Sequence, residues 1–145
     1  MATSVKNLLE NKNINAVISV LPDTTVYEAL GVMKESNVGA VLVMENEELK
    51  GIFSERDYAR KGIILGRKAK STPMTEVMTS NVFSVSAEMT TKDCMEMMSA
   101  KKIRHLPVVA ESKVIGVLSV GDIVSEMLKE QKEHINFLEG YIVNG

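Results

Sequence analysis

A chain of 145 residues with 45% hydrophobic positions is long enough to bury a real core without disulfide staples. Its 17 Lys and Arg against 19 Asp and Glu, a formal charge of −2, argue against nucleic acid as the main partner, because such proteins present a basic face. Cys94 is the single cysteine, which excludes an internal disulfide framework. The chain starts without the apolar run of a signal peptide and its longest apolar runs are far too short to cross a bilayer, so a soluble cytoplasmic protein with no membrane partner is expected.

In chain order, Ser4 to Asn11 reads as a short helix capped by Ser4, with Val5, Leu8 and Leu9 on one side. Ala16 to Leu21 is a β-rich run closed by the turn signal Pro22-Asp23. Thr25 followed by Glu28 fits a capping box, and Val26, Ala29, Leu30 and Met33 fall on one helical face. Gly39 to Met44 reads as a buried strand, Glu45 to Glu48 as a polar hairpin turn and Leu49 to Phe53 as the returning strand. Ser54 then opens a closing helix. Gly62 to Thr79 is a connector rich in Lys, Arg, Gly, Ser and Thr, with Pro73 near its middle. Arg56, Arg60, Lys61, Arg67, Lys68 and Lys70 gather in or beside it as a local cationic cluster, for which a merely solvated loop is the alternative reading.

The same steps then return: strand Val82 to Val85, a helix from Thr90 with Cys94, Met95 and Met98 inward, strand His105 to Val109, a turn, strand Val114 to Leu118 and a helix from Ser119. Pro107 places its strand at an edge, or where a backbone N–H is not needed. Gly51-Ile52-Phe53-Ser54-Glu55-Arg56-Asp57 reappears as Gly116-Val117-Leu118-Ser119-Val120-Gly121-Asp122, an offset of 116 − 51 = 65 residues. The same offset pairs Val17 with Val82, Ser19 with Ser84, Thr25 with Thr90 and Val43 with Val108 without a gap. The expected organisation is a lead-in with a helix (1–15), a first β-α-β-β-α unit (16–61), a basic linker (62–80), a second unit (81–126) and a helical extension (127–145). The last helix carries Ile123, Met127, Leu128, Ile135 and Leu138 as an apolar stripe longer than one repeat covers.

A serine that caps a helix leaves backbone N–H groups and the positive end of the helix dipole facing outward, suited to phosphate or hydroxyl oxygens. An aspartate one turn later offers two acceptors, which the paired hydroxyls of a ribose satisfy, and the preceding glycine lets backbone approach a flat ring. Ser-x-x-Asp is also the pattern of a plain capping box. Cys94 reads as a buried small hydrophobe rather than a redox thiol, and Met89, Met95, Met97 and Met98 as core or an adaptable partner surface. His105 fits a core histidine or a ligand contact, and His134 a solvated helix position. No metal spacing and no assembly of nucleophile, base and orienter is visible, so neither a metal nor a catalytic residue is expected.

The paired stretches, together with Pro22-Asp23-Thr24-Thr25-Val26, Val38-Gly39-Ala40 and Arg104-His105-Leu106-Pro107-Val108, resemble the cystathionine-β-synthase (CBS) domain pair, or Bateman module. Glu55-Arg56-Asp57-Tyr58-Ala59-Arg60-Lys61 and Gly66-Arg67 look most like the small stand-alone members found in bacteria and plant organelles. The resemblance implies an α/β (α+β) fold whose two repeats pack sheet to sheet about a pseudo-twofold axis, leaving two clefts for adenosine ligands such as AMP, ADP, ATP, NAD or S-adenosylmethionine. It implies a sensor without a catalytic cofactor, a homodimer, and a protein partner still to be identified. By position, Asp57 and Asp122 would hold ribose hydroxyls, with Ser54, Ser119 and Gly121 beside ribose or phosphate. Val17, Ile18 and Ser19, and Val82, Phe83 and Ser84, would surround the adenine. Arg104, His105 and Pro107 match a basic stretch that reaches phosphate in relatives, where the first repeat has Gly39 and Ala40. Arg56, Arg60, Arg67, Lys70, Ser71 and Thr72 would border the Asp57 cleft, so that cleft is expected to take the longer anion and the Asp122 cleft a monophosphate. A scaffold without a physiological nucleotide is the alternative; an enzyme would need an acid, base or metal that the sequence does not display.

Overall fold

A computed structural model of the chain describes residues 3–12 and 17–144. Two compact units emerge: one spans Ala16–Phe83, and the other joins Met1–Asn15 to Ser84–Gly145. Ser4 caps helix α1 (Val5–Asn11), its hydroxyl accepting from Asn7 N.

The Ala16–Phe83 unit holds strand β1 (Ser19–Val20), helix α2 (Val26–Ser36) and strands β2 (Ala40–Glu45) and β3 (Glu48–Ser54). Strand β2 lies in the middle of the sheet, parallel to β1 and antiparallel to β3. The expected start of the first strand, Ala16, lies outside the described residues. The Thr25–Glu28 capping box forms as the spacing predicts, α2 buries Val26, Ala29 and Met33, and Asn37 ends it in the left-handed region at φ 54°. A two-residue turn with positive φ at Asn46 and Glu47 reverses the chain between β2 and β3, the geometry that matches strand twist. The closing helix that Ser54 opens does not stay α-helical. After α3 (Glu55–Asp57) it widens into a π-helical turn over Tyr58–Ile63, where Gly62 lies against the Tyr58 ring; an added Cβ would sit 3.0 Å from it.

The other unit holds α4 (Thr91–Lys101), β4 (His105–Ala110), β5 (Lys113–Ser119) and α5 (Val120–Asn144). The duplication persists in the backbone detail. Lys102 ends α4 at φ 55°, Glu111 and Ser112 form the positive-φ turn, and the pairing slips at Val108/Val109 where the first copy slips at Val43/Met44. One expected strand is absent: Val82 to Val85 reduces to a single parallel bridge between Val85 and Val108. In the first copy Leu42 N donates to Ile18 O at 3.1 Å and extends the ladder. The residue at that place in the second copy is Pro107, which has no N–H, so the ladder stops at the bonds Val85 N to Pro107 O and Val109 N to Val85 O.

The structure also shows a repetition that the 65-residue offset conceals. Val5 N donates to Met89 O and Thr91 N to Thr3 O; likewise Met74 N donates to Thr24 O and Val26 N to Thr72 O. Residues 3–9 and 72–78 therefore take equivalent places at an offset of 74 − 5 = 69, although the first continues as the α-helix α1 and the second makes only a 3-10 turn over Met74–Glu76. Each fills a core from the side: Val5 and Leu8 join Cys94, Met98, Leu106, Leu118 and Ile123, and Met74 and Val77 join Met33, Val41, Val43 and Phe53. The glycines that open the repeated stretch make room for it. A Cβ on Gly51 would lie 2.7 Å from Met78 Sδ and 2.9 Å from Thr79 O, and one on Gly116 would lie 2.7 Å from Leu9 Cδ2. Within each unit, then, what comes close to these glycines is the chain itself, where a flat ring was expected.

Candidate functional site

In both units the serine of the repeated stretch stands where a strand turns into a helix. Ser54 ends β3 and caps α3: its hydroxyl accepts from Asp57 N at 3.3 Å, while Asp57 Oδ2 accepts from Ser54 N at 3.0 Å and from Ser54 Oγ at 3.1 Å. Ser119 and Asp122 repeat the exchange at the end of β5, with Ser119 N to Asp122 Oδ2 at 2.8 Å and Asp122 N to Ser119 Oγ at 3.1 Å. The capping box is thus formed twice. Its carboxylates stay in contact with solvent, the Asp57 side chain 14% exposed and that of Asp122 25%.

The residue that opens the central strand is drawn to the same corner. Glu55 N donates to Gly39 O at 3.1 Å and Val120 N to Arg104 O at 2.8 Å; Ala40 lies across from Ser54, and His105 from Ser119. One unit therefore gathers Gly39, Ala40, Ser54 and Asp57, and the other gathers Arg104, His105, Ser119 and Asp122, with Gly121 exposed on the first turn of α5. A shallow hollow lined by Leu30, Met33, Lys34, Asn37, Val38, Gly39 and Glu55 opens beside the first of these corners. Pro107 is buried within β4, opposite Val117. Val17 and Ile18 are half-buried and Ser19 is exposed along β1; Val82 is half-buried, and Phe83 and Ser84 are exposed.

The cationic connector folds largely onto itself. Arg56 and Arg60 are exposed on the helical turns after Ser54. Arg67 donates a guanidinium hydrogen bond to Lys61 O at 2.6 Å, and Lys70 Nζ stands 5.0 Å over the Tyr27 ring as a cation–π contact. Ser71 Oγ and the buried Thr72 Oγ1 both donate to Lys68 O, at 3.5 and 2.7 Å.

Sequence reasoning missed the groups that hold the two carboxylates. Thr79 Oγ1 donates to Asp57 Oδ1 at 3.1 Å, with Lys61 Nζ 3.6 Å from the same oxygen. Lys12 Nζ lies 3.0 Å from Asp122 Oδ2 and donates to Val117 O at 2.8 Å. In the other unit the corresponding carbonyl, Ile52 O, accepts from Thr79 N. One ammonium thus serves both Asp122 and Val117 O, where in the other unit the Thr79 hydroxyl serves Asp57 and the Thr79 N–H serves Ile52 O. The duplication does not disclose this, because the two residues do not correspond: at the 69-residue offset Lys12 matches Asn81 and Thr79 matches Glu10. Cys94 is buried, and burial pushes its thiol up to about 11, so it packs as a small hydrophobe. Among the described residues no three His, Cys, Asp or Glu side chains gather to hold a metal ion, and no helix is long and apolar enough to cross a membrane.

Comparison with known proteins finds one domain twice in the chain. Residues 7–63 and 74–129 each match the CBS domain. The chain is 36% identical over 152 aligned positions to the mitochondrial CBS domain-containing protein CBSX3 of Arabidopsis thaliana, covering 99% of this chain and 74% of that one. The crystal structure of the CBS-domain protein NE2398 superposes with a TM-score of 0.84 at 41% identity, over 88% of this chain and 99% of that one. The CBS-domain protein PAE2072 from Pyrobaculum aerophilum, solved in complex with AMP, shares the fold at a TM-score of 0.73 and 22% identity, over 82% of this chain and 88% of that one.

Proposed function

Because the chain belongs to the CBS-domain family and carries that domain twice, we propose that it is a regulatory protein that binds an adenine nucleotide (AMP, ADP, ATP or NAD) and passes its occupancy to a protein partner. The observation that carries this reading is the pair of Ser-x-x-Asp corners. Each sets a partly exposed carboxylate at the first turn of a helix, beside the backbone that opens a strand. A ribose diol donates to such a carboxylate, and a phosphate suits the adjacent helix start and the nearby arginines. The AMP recorded on a protein of the same fold is consistent with that chemistry. Nothing in the proposal requires turnover; the nucleotide is a signal, and the active species is a homodimer.

The test is a thermal-melting panel of adenine nucleotides, followed by titration of the tightest. A ligand present at a hundred times its dissociation constant stabilises the folded state by about 2.7 kcal/mol. Asp122→Ala is expected to weaken binding by about 2 to 3 kcal/mol, the loss of charge-assisted hydrogen bonds, and to lower stability by about 1 kcal/mol, the loss of a cap. Melting that no nucleotide shifts would point to a scaffold instead. Unchanged affinity in Asp122→Ala alongside lost stability would leave the box a cap and nothing more.

A further inference from the structure

Helix α5 outruns the unit it closes. Ile123 is buried in the core, Met127 packs against that core, and Glu130 accepts hydrogen bonds from Thr3 N and Thr91 Oγ1, so one face of its first turns is already occupied. A different face carries Val124, Leu128, Gln131, Ile135, Leu138 and Ile142, at successive spacings of 4, 3, 4, 3 and 4 residues. That alternation averages 3.5 residues and keeps a single seam turned toward a partner helix when two helices supercoil. The apolar members are open to solvent: Val124 42%, Leu128 62%, Ile135 53%, Leu138 44% and Ile142 76% exposed. From Val124 to Ile142 the seam runs about 27 Å at 1.5 Å per residue.

We infer that this seam packs in parallel against the same seam of a second copy of the chain, which rests on the homodimer part of the function proposed above and assigns it a surface. Charge and coverage decide the orientation. In a parallel pair every layer meets its own counterpart, so the two Gln131 amides face each other and hydrogen-bond across the axis. The flanking positions then bring His134 to Glu139 of the second copy and lay the Lys132 stem over Met127, with no like charges opposed. An antiparallel pairing that covers the whole seam sets Lys132 against Lys132. The antiparallel register that sets Lys132 against Glu139 leaves Val124 and Leu128 bare.

The test is a disulfide trap in the full chain, whose native Cys94 is buried. Gln131→Cys places two thiols across a parallel seam within disulfide reach, whereas Phe137→Cys, 70% exposed and off the seam, does not. Under mild oxidation the Gln131→Cys chain is expected to form a covalent dimer at least about tenfold faster than the Phe137→Cys chain, given the narrow distance a disulfide tolerates. Ile135→Lys is expected to shift the sedimentation equilibrium toward monomer while the chain stays folded by circular dichroism, its melting lowered only by the lost association. Equal cross-linking rates with a dimer still present in sedimentation would overturn the seam while leaving the homodimer standing. A monomer that does not cross-link would overturn both and leave the seam to a different protein.

Discussion

Lys12 separates the two copies more sharply than any residue inside the repeat. Its ammonium sits on the carboxylate proposed to hold a ribose, so a nucleotide at Asp122 has to displace or share that contact, whereas Asp57 accepts from the neutral Thr79 hydroxyl and has its ammonium, Lys61, at the longer distance of 3.6 Å. Both partners are partly exposed, and such pairs contribute at most about 1 kcal/mol. Lys12→Ala is therefore expected to cost less than about 1 kcal/mol of stability and to tighten AMP by up to about fivefold, read by titration calorimetry. Weaker AMP binding would instead make Lys12 a phosphate ligand. Gly51 gives a second prediction at this scale. A methyl group there meets Thr79 O, which is backbone and held by the Ile52 bridge, so Gly51→Ala is expected to lower stability by about 1 to 3 kcal/mol. Gly116→Ala meets only the flexible tip of Leu9 and should cost less in chemical denaturation.

At the scale of elements, the lead-in segments do more than connect. Residues 3–9 cross the start of α4 and are tied to α5 through Thr3 N, which donates to Glu130 Oε1 at 2.6 Å, and Thr3 Oγ1, which donates to Glu126 Oε1 at 3.0 Å. Burial pushes the Glu130 carboxyl up, but hydrogen bonds from Thr3 and Thr91 outweigh it and hold the group below its ordinary value of 4.5. A carboxylate lowered in the folded state stabilises it above the unfolded value, and that contribution is lost as pH falls through the folded value. Glu130→Gln is therefore expected to melt below wild type at pH 7, with the two melting curves converging once the pH drops well below 4.5. A gap that stays constant down to strong acid would show that the Glu130 contacts contribute nothing as a charge.

For the whole molecule, the two copies differ in what surrounds an otherwise equal corner. The Asp57 unit carries Arg56, Arg60 and Arg67, and the Asp122 unit carries Arg104 and Lys12. More guanidinium groups favour more phosphate, since each added phosphate needs a matched donor. Arg104→Ala is expected to weaken AMP more than NAD, and Arg60→Ala NAD more than AMP, in parallel titrations. If both variants weaken both ligands alike, the copies do not divide the ligands by charge. Because Arg67 already donates to Lys61 O, its replacement also loosens the connector, which makes Arg60 the cleaner probe.

The sequence alone determined whatever depends on local chemistry. The capping residues Ser4, Thr25, Ser54 and Thr90, the strand pairs, the hairpin turns and the 65-residue duplication could all be read, because hydrophobic period and cap type are set within a few residues. It also singled out the two Ser-x-x-Asp stretches, each of which folds into the reciprocal box that its spacing allows. Tertiary structure decided what depends on meetings between distant residues. Pro107 cancels the Val82 to Val85 strand only because Val85 is its neighbour, and residues 3–9 and 72–78 prove equivalent only through the helices they cross. Lys12 reaches Asp122 across 110 positions, 122 − 12, through a contact that no period encodes. Such contacts follow from where the folded backbone places a side chain, and a linear offset carries no record of that.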